Sequence, residues 1–261
     1  MKNIGIVGLG FMGSAIARGI RRASPEATLR ILEKDHHRRE TAVQELSALD
    51  CTDHPGELFH ESEIIILAVK PQDLTALELP TIGKVPLVSV LAGVSTESLG
   101  SALGAEVVIR IMPNLAADIG RAVVGITFPA TVTKEQREQI LTLLDPLGTL
   151  LEVPERLMPA VTAVSGSGIA FVLQFIEAMA LGAVQEGLPY PQAIRAARDV
   201  TESAALLLRE LEIHPRELMS RVSSPGGTTI AGLRALADGG LDGTVMNALE
   251  QAARRSRELE G

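Results

Sequence analysis

The chain has 261 residues, 46% of them apolar, and a formal charge of −8 from 24 Lys and Arg against 32 Asp and Glu. That length suits two ordinary domains, the apolar share excludes global disorder, and the acidic balance argues against broad binding to a nucleic-acid backbone. Five Phe, one Tyr and no Trp weigh against base stacking or an aromatic-lined sugar cleft. The single Cys51 excludes an intrachain disulfide framework and a thiolate zinc cage, and fits a reducing cytoplasm.

The first 20 residues imitate a signal segment, but five glycines make a poor apolar region. They read better as a strand, Asn3 to Gly8, followed by a helix over Gly13 to Ala23 with Ile16, Ala17 and Ile20 on one face. Leu29 to Leu32 is a second strand and His36 to Leu49 a polar amphipathic helix. Glu63 to Lys70 holds a continuous apolar run ended by Pro71, the pattern of a strand covered on both faces of a parallel sheet. Leu87 to Leu91 and Val107 to Met112 are further strands, with a helix over Thr96 to Leu103 between them, capped by Ser95 and closed by Gly104. Val123 to Phe128, a helix over Lys134 to Leu147, and Leu150 to Val153 complete the alternation. Strands interleaved with helices predict an α/β, Rossmann-type doubly wound sheet.

From about Glu155 the strands give way to long helical periods: Ile169 to Glu186, Gln192 to Glu212, Pro215 to Arg221, Thr228 to Ala237 and Leu241 to Leu259. The uncharged run Leu157 to Ile176 is long enough to span a membrane, but Pro159 and Ser165-Gly166-Ser167-Gly168 favour a buried helix entered through a glycine turn. An Ala- and Leu-rich bundle so poor in aromatics closes its core against a second copy, which predicts a homodimer or a higher oligomer of dimers. The expected domains are 1–154, binding the dinucleotide, and 155–261, all-α, for dimerisation and substrate.

Gly8-Leu9-Gly10-Phe11-Met12-Gly13 is a GxGxxG directly after a strand and opening a helix. The first glycine permits the turn, the second admits a pyrophosphate to the backbone, and the third lets helix and strand pack closely. The helix N-terminus offers free N–H groups to the phosphates. Glu33, 20 residues after Gly13, is placed to accept both ribose hydroxyls, which favours NAD. Lys34 and the cations His36 to Arg39 offer instead to hold the 2′-phosphate of NADP. The balance leans to NADPH with NADH tolerated.

Ser223-Ser224-Pro225-Gly226-Gly227-Thr228-Thr229 precedes another helix. Its small residues expose backbone N–H groups at a helix N-terminus, a carboxylate site without a cationic side chain, or else an elaborate N-cap.

With these motifs the chain resembles the pyrroline-5-carboxylate reductase family along its whole length. The resemblance is carried by the GxGxxG, Ala68-Val69-Lys70-Pro71, Ala92-Gly93-Val94, Arg110-Ile111-Met112-Pro113-Asn114, Ala163-Val164-Ser165-Gly166-Ser167-Gly168, Phe175-Ile176-Glu177-Ala178-Met179 and the SPGGTT segment. It implies a cofactor site of Val7, Gly8, Leu9, Gly10, Phe11, Met12 and Gly13, with Glu33 and Lys34. The same site would include Ala68, Val69, Lys70 and Pro71, then Leu91, Ala92 and Gly93, and Met112, Pro113 and Asn114 near the nicotinamide. It implies a substrate site of Glu155, Arg221, Ser224, Gly226, Gly227, Thr228 and Thr229, with the Thr229 hydroxyl reaching the substrate ring nitrogen as the catalytic group. It also implies that one subunit's helical domain meets the other's cofactor domain. The chain departs from the usual family pattern at Leu115-Ala116, Ile169-Ala170-Phe171, Pro55 and Arg221.

The implied reaction is hydride transfer from NADPH or NADH to 1-pyrroline-5-carboxylate, giving L-proline. A protonated imine is already electrophilic, which agrees with a chain whose five His lack metal-like spacing. Two other readings stand beside it: an oxidoreductase acting on another cyclic imine carboxylate or on a hydroxy acid, and a non-catalytic nucleotide sensor. Hydroxy-acid dehydrogenases of this build need a Lys in the helical domain, and no Lys follows Lys134. No metal, nucleic-acid or membrane partner is expected.

Overall fold

The computed structural model describes residues 1–74 and 79–260. They fall into two compact units, Met1–Gly166 with the C-terminal segment from Ala252, and Ser167–Gln251.

The first unit is an eight-stranded sheet of order β3-β2-β1-β4-β5-β6-β7-β8. Its strands are β1 (Asn3–Val7), β2 (Thr28–Leu32), β3 (Leu49–Asp50), β4 (Ile64–Leu67), β5 (Leu87–Ser89), β6 (Val108–Met112), β7 (Ala122–Thr127) and β8 (Gly148–Glu152). All neighbours pair in parallel except β6 and β7. Helices α1 (Phe11–Ala23), α2 (His36–Leu46), α3 (Pro55–Glu61), α4 (Pro71–Leu74), α5 (Thr96–Leu103) and α6 (Lys134–Leu144) connect them, and α7 (Met158–Val161) follows β8.

The apolar run of β4 shows why the sheet is covered on both faces. Ile64 and Ile66 join one buried cluster with Ile4, Ile6 and the α1 residues Ile16 and Ile20. Ile65 and Leu67 join a second with Val7, Leu58, Leu87 and Leu99. Alternate side chains serve opposite faces, and each fully buried Ile or Leu contributes about 1.5–3 kcal/mol.

Two local differences from the sequence expectation have simple causes. The helix expected over His36 to Leu49 stops at Leu46, because Ser47 takes a left-handed conformation (φ +50°) and frees Leu49 to pair with Arg30 as the sheet edge. The short α3 was not anticipated; Pro55 at its first turn and the buried Leu58 and Phe59 were its signals.

The second unit contains α8 (Gly168–Gln185), α9 (Tyr190–Leu211), α10 (Pro215–Arg221), α11 (Thr228–Asp238) and the first part of α12 (Leu241–Glu260). Its buried centre is small: Ala180, Ala193 and Ala197, flanked by Ile176, Ala183 and Ile194 where α8 and α9 pack together. The glycine turn expected at Ser165–Gly168 is absent; residues Thr162–Ser167 form a π-helix that leads directly into α8. The expected burial is also absent within one chain, since Val172, Leu173, Phe175 and Leu181 are exposed. The run Glu155–Gln185 is long and apolar enough to cross a membrane by length and composition.

Candidate functional site

The parallel strands β1, β4 and β5 end at the same sheet edge, and the order reverses between β1 and β4. Open α/β sheets bind ligands at such a switch point. Gly8 leaves β1 at φ +92°, and a Cβ there would stand 2.9 Å from the Ala68 carbonyl oxygen. A Cβ at Gly13 would stand 2.0 Å from the Gly8 carbonyl oxygen, so only glycine lets α1 start this close to β1. Gly10 is different. It caps α1 with no side-chain hydrogen bond, and a Cβ there meets nothing within 4 Å. Open space in front of an uncapped helix N-terminus fits a dinucleotide pyrophosphate, which the N–H groups of this turn would hold.

A cleft of about 650 Å³ adjoins this turn, lined by Gly8, Gly10, Leu32 to Asp35, Arg38, Ala68 to Lys70 and Asp73. Glu33, only 5% exposed, closes its base. One carboxylate oxygen accepts the Leu9 N–H at 2.5 Å and the other the Asp35 N–H at 2.9 Å. Glu33 thus fixes the glycine turn against the end of β2, and acceptor capacity is left for a ribose. Lys34 is 80% exposed and pairs with Asp73 at 3.1 Å across the cleft. Asp35 caps α2 by accepting the Arg38 N–H, and that bond holds its carboxyl below the usual range.

The other loops of the first unit are each anchored. Ala68 N–H donates to the Val7 carbonyl, which lays Ala68 to Lys70 beside the glycine turn, and Pro71 opens α4. Leu91 is buried and donates its N–H to Ser89 Oγ, and Gly93 has φ +73°. Met112 ends β6. Beyond Pro113, the buried Asn114 accepts the Ala116 N–H and donates to the Ser165 carbonyl. Asn114 therefore caps the turn over Leu115–Ile119 with its amide oxygen and ties it to Ser165 with its amide nitrogen. Glu155 accepts the Thr96 N–H at 2.9 Å and the Thr96 hydroxyl at 2.7 Å, and lies 3.5 Å from the Arg110 guanidinium. Thr96 and Arg110 were not singled out from sequence for this role, because their partners are remote in the chain.

In the second unit, Gly226 turns at φ +68° and Gly227 N–H donates to the Ser224 carbonyl. Gly227 caps α11 without a side-chain bond, and Thr228 and Thr229 occupy the first turn. A bare N-terminus of this kind can accept a carboxylate. Arg221, at the end of α10, pairs with Glu217 one turn back at 2.7 Å.

Two family models match different parts of the chain. Residues 155–259 match the family model for pyrroline-5-carboxylate reductase dimerisation, and residues 3–93 match one described as NADP oxidoreductase, coenzyme F420-dependent. The chain is similar to the pyrroline-5-carboxylate reductase of Aquifex aeolicus, 36% identical over 98% of this chain and 97% of the relative. Among solved structures it is similar to 1-pyrroline-5-carboxylate reductase from Streptococcus pyogenes, at 30% identity and TM-score 0.86 over 98% of each chain. It is also similar to pyrroline carboxylate reductase from Plasmodium falciparum with NADP bound, at 25% identity and TM-score 0.84, covering 99% and 98% of the two chains.

Proposed function

The chain belongs to the pyrroline-5-carboxylate reductase family, and from that premise we propose that it reduces 1-pyrroline-5-carboxylate to L-proline with NADPH or NADH, the last step of proline synthesis. The observation that carries this reading is the likeness to a relative over nearly the whole of both chains, taking in the glycine turn and the SPGGTT loop alike.

The nicotinamide supplies the hydride. The work of the chain is to bind and orient. The turn from Val7 to Gly13 holds the pyrophosphate, Glu33 the ribose, and Lys34 a 2′-phosphate. Ala68 to Pro71, Leu91 to Gly93 and Met112 to Asn114 border the nicotinamide half. The backbone N–H groups of Gly226, Gly227 and Thr228, with Ser224, take the substrate carboxylate, and the Thr229 hydroxyl orients the imine nitrogen and relays its proton. Glu155 and Arg221 border the substrate. Positioning of this kind supplies a large part of a rate enhancement when the bound electrophile is already activated.

In this reading residues 1–154 serve the cofactor and residues 155–261 serve dimerisation and substrate. A second copy of the chain covers the apolar face of α8, which is why that run is exposed in one chain and is not read as a membrane span. The enzyme works in the cytoplasm, in keeping with its single buried cysteine.

The test is NAD(P)H consumption by the purified chain on 1-pyrroline-5-carboxylate and on a six-membered cyclic imine carboxylate. One ring methylene changes kcat/KM by about 10-fold or more in a fitted pocket. Preference for the five-membered ring is expected. Equal rates, or preference for the larger ring, reject the substrate.

A further inference from the structure

Arg110 is the largest buried polar side chain of the first unit, 2% exposed in the middle of β6. Its guanidinium meets two carboxylates: Nη2 donates to Glu260 at 2.5 Å, and Nη1 lies 3.5 Å from Glu155. Its Nε has no partner among the described residues. A buried guanidinium depends on such partners, because losing one leaves a charge in low dielectric. Glu155 in turn holds the first residue of α5 through both the N–H and the hydroxyl of Thr96. Three residues before Thr96 stands Gly93, where a Cβ would come within 2.8 Å of the Leu259 carbonyl oxygen. The last turn of α12 therefore touches the loop after β5 twice, directly at Gly93 and through the chain Glu260–Arg110–Glu155–Thr96. All of these residues belong to the first unit.

We propose that Glu260 and Arg110 are positioning residues, which lock the loop Leu91–Gly93 and the start of α5 in the conformation that receives the nicotinamide half of the cofactor. This rests on the reading of Leu91–Gly93 as a cofactor loop. Arg110 suits the role better than Lys would, since a planar fork serves two carboxylates in fixed directions. Glu260 is the half of the link that can be changed safely, at the end of a helix and partly open to solvent.

The experiment compares Glu260→Ala, Glu260→Gln and Glu260→Asp with the wild type in the full chain. NADPH binding is followed by fluorescence titration, steady-state kinetics by NADPH consumption, and loop order by hydrogen exchange of the Thr96 amide. Glu260→Ala and Glu260→Gln are expected to weaken NADPH binding and raise its KM by about 5- to 10-fold, the scale of one lost charge-assisted bond. The value of kcat at saturation should fall less than 2-fold by the same account, since the reacting groups are untouched. Exchange at Thr96 should accelerate, and Glu260→Asp should recover most of the affinity. Unchanged NADPH affinity and unchanged exchange at Thr96 in Glu260→Ala overturn the proposal. Faster exchange with unchanged affinity overturns it too, because the loop would then be loosened without consequence for the cofactor. Failure of the wild type to bind NADPH at all would reject the cofactor reading itself, a result distinct from either.

Discussion

The two units solve the problem of burial differently. The α/β unit hides Ile and Val on both faces of one sheet, and its two clusters draw on strands and helices of a single chain. The helical unit hides three alanines and leaves Leu173, Leu181, Leu207 and Met246 open. A parallel sheet flanked by its own crossover helices is self-sufficient. A bundle of long helices with small residues on its faces is not, and its missing core has to come from other helices. Changes in the first unit should therefore read out as binding, while changes on the helical face should read out as assembly.

The largest effect is expected at Gly10. Its backbone angles suit any residue, and nothing stands within 4 Å of a Cβ placed there. Gly10→Val should still fold, at a cost of about 1 kcal/mol, because Val is a poorer N-cap than glycine. It should also lose NADPH binding by more than about 100-fold, because the branched side chain takes the space of the pyrophosphate. Calorimetric titration and thermal unfolding measured together check both halves. Retained affinity would show that this turn does not hold the cofactor.

On the helical side the matching change is Leu173→Glu, at a side chain 59% exposed in one chain. If a second copy covers it, the variant loses about 2 kcal/mol of burial per chain and adds a charge to an apolar contact. Sedimentation should show a shift to smaller species, and thermal unfolding a lower melting temperature than the wild type at the same concentration. An unchanged assembly would place the interface elsewhere.

How much of this was legible in the sequence follows the same divide. The strands of the first unit announced themselves through Ile- and Val-rich runs, and the glycine turn through its place between strand and helix. The end of α2 was not legible, because nothing marks Ser47 as left-handed apart from the short strand it releases. Nor was the helical path through Ser165–Gly168, where glycines that usually break a helix are carried by a π-turn bonded to Asn114. The link from Arg110 to Glu260 spans 150 residues and leaves no local pattern. Ser224 to Thr229 could be read as a helix cap or an anion site from chemistry alone, and only the whole-length likeness favours the second.

A smaller effect is expected in the adenosine half of the cleft. Lys34→Ala should raise the NADPH KM about 10-fold and leave the NADH KM within about 2-fold if Lys34 holds the 2′-phosphate that only NADPH carries. Glu33→Ala should weaken both cofactors, because Glu33 also fixes Leu9 in the glycine turn. NADH should suffer more, as it depends wholly on the ribose contact. Equal changes for the two cofactors in both variants would assign this discrimination to other residues.

The smallest effect concerns pH, and it separates the units by what their stability titrates with. Glu63 ties down the start of β1 by accepting the N–H groups of Lys2 and Asn3 on one carboxylate oxygen. Those two bonds, Asn3 first, hold its carboxyl below the usual glutamate range. A lowered folded-state value contributes stability that is fully present above the unfolded value of about 4.3 and is lost as pH falls through the folded one. Glu63 is largely solvated, so the contribution stays under about 1 kcal/mol. Hydrogen exchange of the β1 amides, compared between wild type and Glu63→Gln, isolates it from the rest of the chain. At neutral pH the variant should exchange faster, and the gap should close as pH drops below the usual glutamate range. A gap that stays constant with pH would mean that the carboxylate charge adds nothing to these two bonds. The exchange of α8 amides should follow protein concentration instead if a second copy of the chain covers that helix.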